Sequence, residues 1–199
     1  MPVEMPSSFL RLFIAIPVPM EVREALGRAQ GQLRRCSPPG SVRWTNPEQF
    51  HLTLNFLGDV MPDQAAALRG PTEKIVASFS ALTLSAHGTG FFPGEHKPRV
   101  IWCGVIDANG QLNELQRELG EAVRPLTAAE KAERFSGHIT LGRVKPGHHG
   151  SLRPVLERAR VLRDRHFGEW LAREVIIYRS TLTPQGAVHE PFHVCPMSV

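Results

Sequence analysis

Two tetrapeptides of this 199-residue chain carry acid–base side chains at the same spacing: His51-Leu52-Thr53-Leu54 and His138-Ile139-Thr140-Leu141. In a β-strand successive side chains alternate between faces, so each His shares a face with its Thr and the aliphatics pack on the other. Nine His and nine Thr in this length give roughly 0.4 His-x-Thr triplets by chance, and aliphatics at both x positions lower that to a few hundredths. A third triplet, His87-Gly88-Thr89-Gly90, lacks the aliphatics and reads as incidental. Imidazole titrates near neutrality, so one neutral and one protonated ring can take a proton from water and give one to a leaving oxygen. Placed on opposite sides of a phosphorus, such a pair could open a cyclic phosphodiester in line, with no metal and no cofactor. The threonine hydroxyls could donate to the non-bridging oxygens. Either histidine alone reads as well as a core residue bonded to a backbone carbonyl; the matched pair favours a shared site.

The elements around these motifs must hold them face to face. Arg11–Ile16 reads as a buried strand stopped by Pro17, and Met20–Leu33 as a helix with Val22, Leu26, Ala29 and Leu33 on one side. Trp44 sits in a short extended piece, and Asn46-Pro47 opens a helical turn before the strand His51–Leu57. Asp63–Phe79 reads as a helix flawed at Gly70-Pro71. A strand over Leu82–Ala86 precedes a Gly/Pro loop from Gly88 to Lys97. Then come a strand at Val100–Ile106, a helix at Asn109–Val123, the strand His138–Val144 and a basic helix at Leu152–Leu162. A strand at Val175–Thr181 and a short edge strand at Phe192–Val194 close the chain. The histidine motifs are offset by 87 residues, and the first strand shifted by 87 falls inside the strand that starts at Val100. This predicts two similar halves in one bilobal α+β domain, residues 1–199, around a shared cleft.

Composition bounds the alternatives. Hydrophobic residues are 42% and charged residues 21%, too apolar for a disordered chain. Three cysteines without Cys-x-x-Cys spacing argue against a disulfide framework or a zinc ribbon and for a reducing compartment, the cytoplasm. The longest early apolar run, Leu12–Ile16, is far short of a membrane span, and no basic leader precedes it. The net charge of +4 suits a phosphate-bearing partner without requiring one.

The two motifs, with the residues that flank them, resemble the two-histidine phosphoesterase superfamily, and within it the RNA 2′,3′-cyclic phosphodiesterases, also called 2′-5′ RNA ligases. The opening Arg11-Leu12-Phe13-Ile14-Ala15-Ile16 is similar to that family's first strand. Asn46-Pro47-Glu48-Gln49-Phe50-His51 through Phe56-Leu57-Gly58 is similar to its first motif, and Phe135-Ser136-Gly137-His138 through Gly142-Arg143 to its second. The resemblance implies an α+β bilobal fold of two pseudo-symmetric, mainly antiparallel sheets with outer helices around a central cleft, the chain crossing between lobes. It implies hydrolysis of a 2′,3′-cyclic phosphate to a 2′-phosphate, with His51 protonating the departing 3′ oxygen and His138 activating water. It also implies that Arg143 holds the phosphate and that Phe56 stacks on a base. Both lie an odd five residues beyond their histidine. Either Gly142 marks a bulge that returns Arg143 to the cleft, or Arg143 is a surface arginine. Phe56 is either a stacking platform or core.

Other features read more blandly. His189-Glu190-Pro191-Phe192-His193 has the wrong register for a zinc helix. His148-His149 reads as a solvated loop. Arg153, Arg158, Arg160, Arg163 and Arg165 form a wet helix face or a widened RNA track. The partner expected is an RNA 3′ end or short oligonucleotide ending in a cyclic phosphate, with no membrane and no obligatory protein partner. Three alternatives stay open: a nucleotide- or RNA-binding module without turnover, reversible 2′-5′ ligation at the same site, and action on 2′-5′ oligoadenylates or cyclic nucleotides.

Overall fold

The computed structural model describes residues 9–127, 135–183 and 186–198. Its strands are β1 (Leu10–Pro17), β2 (Val42–Trp44), β3 (His51–Val60), β4 (Leu82–Phe92), β5 (Val100–Asp107), β6 (His138–Val144), β7 (His166–Ala172), β8 (Glu174–Thr183) and β9 (Gly186–Pro196). Its helices are α1 (Met20–Cys36), α2 (Pro62–Ala67), α3 (Arg69–Val76), α4 (Gln111–Val123) and α5 (Arg153–Val161). The strands form an antiparallel sheet in the order β7-β4-β5-β6-β3-β1-β8-β9, with β2 set beside β6. The order is symmetric about the β6–β3 junction. Each half has a histidine strand on the inside: β4 to β7 make up one half, and β8 and β9 return to complete the other beside β1 and β3, while β2 lies against β6 of the opposite half. A single pairing, Leu52 with Ile139, joins the two halves into one sheet.

The symmetry extends to register. In the first half Ala15 faces Thr53 and Ile14 faces Asn55, so Leu54 is skipped. In the second half Trp102 faces Thr140 and Ile101 faces Gly142, so Leu141 is skipped. All four pairs are related by the same offset of 87 residues that relates the histidines. Each histidine strand therefore carries a β-bulge at the same position, one extra residue that reverses side-chain parity beyond it.

One sheet face is dry. Leu52, Leu54, Ile139, Leu141, Ile14, Ile16, Ile101 and Cys103 are buried there beneath the helices. Helix α1 buries Val22, Leu26, Ala29 and Leu33, the i, i+4, i+7 stripe expected of an amphipathic helix. Helices α1 and α5 pack together, and so do α3 and α4, one pair behind each half. Burying a side chain such as Leu26 or Leu52 contributes about 1.5–3 kcal/mol, so this face supplies much of the folding free energy. The other face forms the cleft.

Several expectations are corrected. The Gly88–Lys97 loop is shorter, because β4 runs through to Phe92; Gly88 (φ +68°) is the extra residue of a bulge opposite β5. Gly90 is needed there, since a Cβ would lie 2.3 Å from the Trp102 ring. The helix over Asp63–Phe79 breaks at Leu68, not at Gly70-Pro71; Pro71 sits in the first turn of α3, where its missing N–H costs nothing. Strand β7 is an addition, and β9 spans 11 residues rather than three. The incidental reading of His87-Gly88-Thr89 agrees with a structural role for Thr89, whose buried hydroxyl donates to the Ala159 carbonyl at 2.8 Å. The side chain of His149 lies outside the described residues.

Candidate active site

Leu52 and Ile139 face each other antiparallel on the dry side. Their neighbours on the cleft side are placed by strand geometry: His51 lies across from Thr140, and Thr53 across from His138. The histidines occupy one diagonal of this quadrilateral and the threonines the other. Diagonal neighbours of this kind have Cβ atoms about 7–8 Å apart, which leaves room for a small anion between the imidazoles. All four residues are half-buried. Among the described residues neither threonine hydroxyl makes a side-chain hydrogen bond, so both are available to a ligand.

The rings are anchored alike. His51 Nδ1 is 2.8 Å from the Gln49 carbonyl and His138 Nδ1 is 2.7 Å from the Ser136 carbonyl, each two residues upstream. A carbonyl oxygen only accepts, so Nδ1 carries the hydrogen in both rings. Nε2 is then the free nitrogen: an acceptor when the ring is neutral, a donor when it is protonated.

The bulges set the direction of the side chains downstream of each motif. Beyond Leu141 the burial order of β6 shifts, with Gly142 and Val144 inside and Arg143 exposed on the same face as His138 and Thr140. Gly142 permits this because Trp44 and Val42 press on it; a Cβ would lie 2.9 Å from each. The Leu141 carbonyl accepts from the Thr45 N–H at 3.0 Å and from the buried Gln30 amide at 2.8 Å. Gln30 also donates to the Thr45 carbonyl at 2.7 Å, tying β2, β6 and α1 together behind Arg143. In the first half the Leu54 bulge puts Phe56 opposite Phe13, on the cleft face. Phe56 is 66% exposed, so the core alternative for it does not hold.

The surroundings of the two rings differ. His51 packs against Phe13 (centroids 4.9 Å apart), Tyr178 (6.2 Å) and, edge to face, His189 (5.3 Å). Burial, reinforced by the charges His189, His138 and Arg143 bring when protonated, pushes His51 down to about 4 against the opposing bond to Gln49. His138 meets Phe92 edge-on at 4.9 Å and lines an open cavity of about 550 Å³ with Phe92, Phe135 and Ser136. Burial and then the Arg143 charge lower its pKa as well. The Arg143 guanidinium thus acts on both rings. Any anion between them would meet that positive charge and would favour imidazolium.

Residues singled out from sequence converge here from both halves: His51, Thr53 and Phe56 from β3, His138, Thr140 and Arg143 from β6. Sequence reasoning missed His189, Tyr178 and Phe13 beside His51, and Phe92 beside His138 with the Trp102 ring against Phe92. Alternation within β8 and β9 puts Tyr178 and His189 on one face, but only the strand order brings that face to His51. Three of the five arginines in and after α5 are ion-paired: Arg160 and Arg163 with Glu95 at 2.5 and 2.9 Å, and Arg153 with Glu157 at 3.0 Å. Among the described residues no three His, Cys, Asp or Glu side chains form a metal-holding cluster, and no helix is long and apolar enough to cross a membrane.

Comparison with known proteins gives the same grouping. The family model described as LigT like Phosphoesterase matches residues 16–102. The RNA 2′,3′-cyclic phosphodiesterase of Archaeoglobus fulgidus is 30% identical over 93% of this chain and 99% of its own length. The protein of the same name from Thermus thermophilus is 36% identical over 90% of this chain and 86% of its own length. Among solved structures, a Thermus thermophilus protein superposes with a TM-score of 0.73 at 28% identity, covering 94% of this chain and 97% of that one. Escherichia coli LigT complexed with 3′-AMP shares the fold, with a TM-score of 0.71 at 22% identity over 96% of this chain and 99% of its own. The chain belongs to the LigT-like phosphoesterases, the family of the RNA 2′,3′-cyclic phosphodiesterases.

Proposed function

We propose that the chain hydrolyses 2′,3′-cyclic phosphate ends of RNA or short oligonucleotides to 2′-phosphates, without a metal ion, using His51 and His138 as the acid–base pair. The observation that carries this reading is the shared anchoring of the two rings: both Nδ1 atoms are committed to a carbonyl, and both Nε2 atoms are left for one substrate between them. His138 Nε2 takes a proton from water as the water oxygen bonds to phosphorus. The phosphorus–3′-oxygen bond breaks on the far side, and the 3′ oxygen takes the proton from His51 Nε2. The 2′ ester survives. Thr53, Thr140 and Arg143 donate to the non-bridging oxygens, whose charge is held in the transition state. Phe56, exposed at the rim, offers a stacking face to an unpaired base.

This role assignment follows the family scheme. One observation favours the reverse: His51 is packed among Phe13, Tyr178 and His189 while His138 opens onto a cavity, so desolvation opposes charge more strongly on His51. The bound anion raises both rings and decides the outcome in the complex. All three cysteines are free thiols, which supports a cytoplasmic setting.

Adenosine 2′,3′-cyclic phosphate incubated with the purified chain and excess EDTA tests the reading. The expected result is full turnover to the 2′-phosphate, resolved from the 3′ isomer by chromatography. Loss of turnover in EDTA restored by a divalent ion, or a 3′-phosphate product, would overturn it.

A further inference from the structure

Arg43, on β2, lies directly across from Arg143 on β6. Antiparallel partners share a face with Cβ atoms about 4.5–5.5 Å apart, and like charges so placed destabilise a sheet. Among the described residues neither guanidinium has a carboxylate within 4.0 Å, unlike Arg153 and Arg160 of α5. The strand itself is firmly held. Val42 is buried, Trp44 lies on Gly142, and Gln30 clamps the carbonyls of Thr45 and Leu141. Repulsion is therefore built into a rigid three-residue strand whose one cleft-facing side chain is Arg43. Arg143 acts on both histidines, and Arg43 stands one strand farther out along the same face. Partial desolvation, and then the Arg43 charge across the strand pair, lower the Arg143 pKa from its usual range.

We infer that Arg43 binds a second phosphate, the phosphodiester joining the terminal nucleotide to its 5′ neighbour, while Arg143 holds the reacting one. The preferred substrate is then an oligonucleotide end of two or more nucleotides, not a free nucleoside 2′,3′-cyclic phosphate. This deepens the phosphodiesterase reading and rests on it. Two anions one nucleotide apart relieve the repulsion that the sheet otherwise carries, and charge-assisted bonds to phosphate are what the guanidinium fork makes well.

The test compares adenosine 2′,3′-cyclic phosphate with a diadenosine dinucleotide ending in the same cyclic phosphate, for the wild type, Arg43→Gln and Arg43→Lys. Arg43→Gln should lower kcat/KM for the dinucleotide about tenfold more than for the mononucleotide, and Arg43→Lys should recover part of that difference. The salt slope for binding the dinucleotide product should also fall by about 0.7 in Arg43→Gln. An unchanged ratio, through equal loss on both substrates or no loss on either, would overturn the inference. A wild type that hydrolyses neither substrate would instead contradict the phosphodiesterase reading. The affinities of the 2′-phosphate-ended mono- and dinucleotide would still decide the role of Arg43.

Discussion

The half around His51 and the half around His138 share a register, a bulge and a ring anchor, but they surround the imidazole differently. His51 sits among Phe13, Tyr178 and His189, whereas His138 opens onto a cavity of about 550 Å³. Repetition of the backbone fixes where each Nε2 points. The non-repeated side chains fix how readily each ring holds a proton. Two roles can thus arise from one duplicated geometry, because environment separates titrating groups that position alone would leave equivalent.

The pairing of the halves fails most visibly if either ring is removed. His51→Ala and His138→Ala should each cost about 10²- to 10⁴-fold in kcat while the thermal unfolding midpoint stays close to the wild type. A loss confined to one of them would mean that the halves do not work as a pair. Removing the charge they share comes next. Arg143→Ala should lower kcat/KM by about 10²- to 10³-fold, with Arg143→Lys only partly active, because a compact ammonium lacks the bidentate fork. Equal activity of Arg143→Ala and wild type would return Arg143 to the status of a surface residue.

A smaller effect tests the clamp found only in the second half. Gln30→Leu takes the Gln30 donor from the part-buried Thr45 carbonyl and leaves the Leu141 carbonyl with the Thr45 N–H alone, which costs about 1–3 kcal/mol in denaturant unfolding. Activity should fall with it, since the clamp aims Arg143. The subtlest effect is in pH. Both rings titrate below the ordinary 6.5 in the free chain, His51 at about 4. The singly protonated, productive form therefore peaks below pH 6.5, and kcat/KM should fall as pH rises through 6.5. The kcat profile should lie at higher pH, because the bound anion stabilises imidazolium. His189→Gln removes a charge that presses on His51 and should move the acidic limb of kcat/KM upward. A limb that does not move would show that His189 has no hold on His51.

Much of this was legible in the chain. The paired motifs, the offset of 87 and the parity conflict at Arg143 and Phe56 are sequence facts, and the bulges at Leu54 and Leu141 are their physical counterpart. What stayed hidden depended on strand order and long-range packing. β7 hid because the backbone irregularity at Gly168 (φ +136°) breaks its alternation. β4 reads too short because its glycines make room for a bulge and for Trp102, a need that local propensity does not encode. The break at Leu68 was displaced because a proline in the first turn of a helix is harmless. His189 and Arg43 could not be placed at all without knowing which strands neighbour β8 and β6.

The central claim is that one ring delivers a proton to the 3′ oxygen and the other takes one from water. A nucleoside 2′,3′-cyclic phosphate with sulfur in place of the 3′-bridging oxygen tests it directly, because a thiolate departs without a proton. Turnover of this substrate by His51→Ala should return to within about tenfold of wild type, while His138→Ala should stay inactive. Rescue of His138→Ala alone would reverse the roles within the same pair. Rescue of both variants, or of neither, would contradict the division of labour between the two halves.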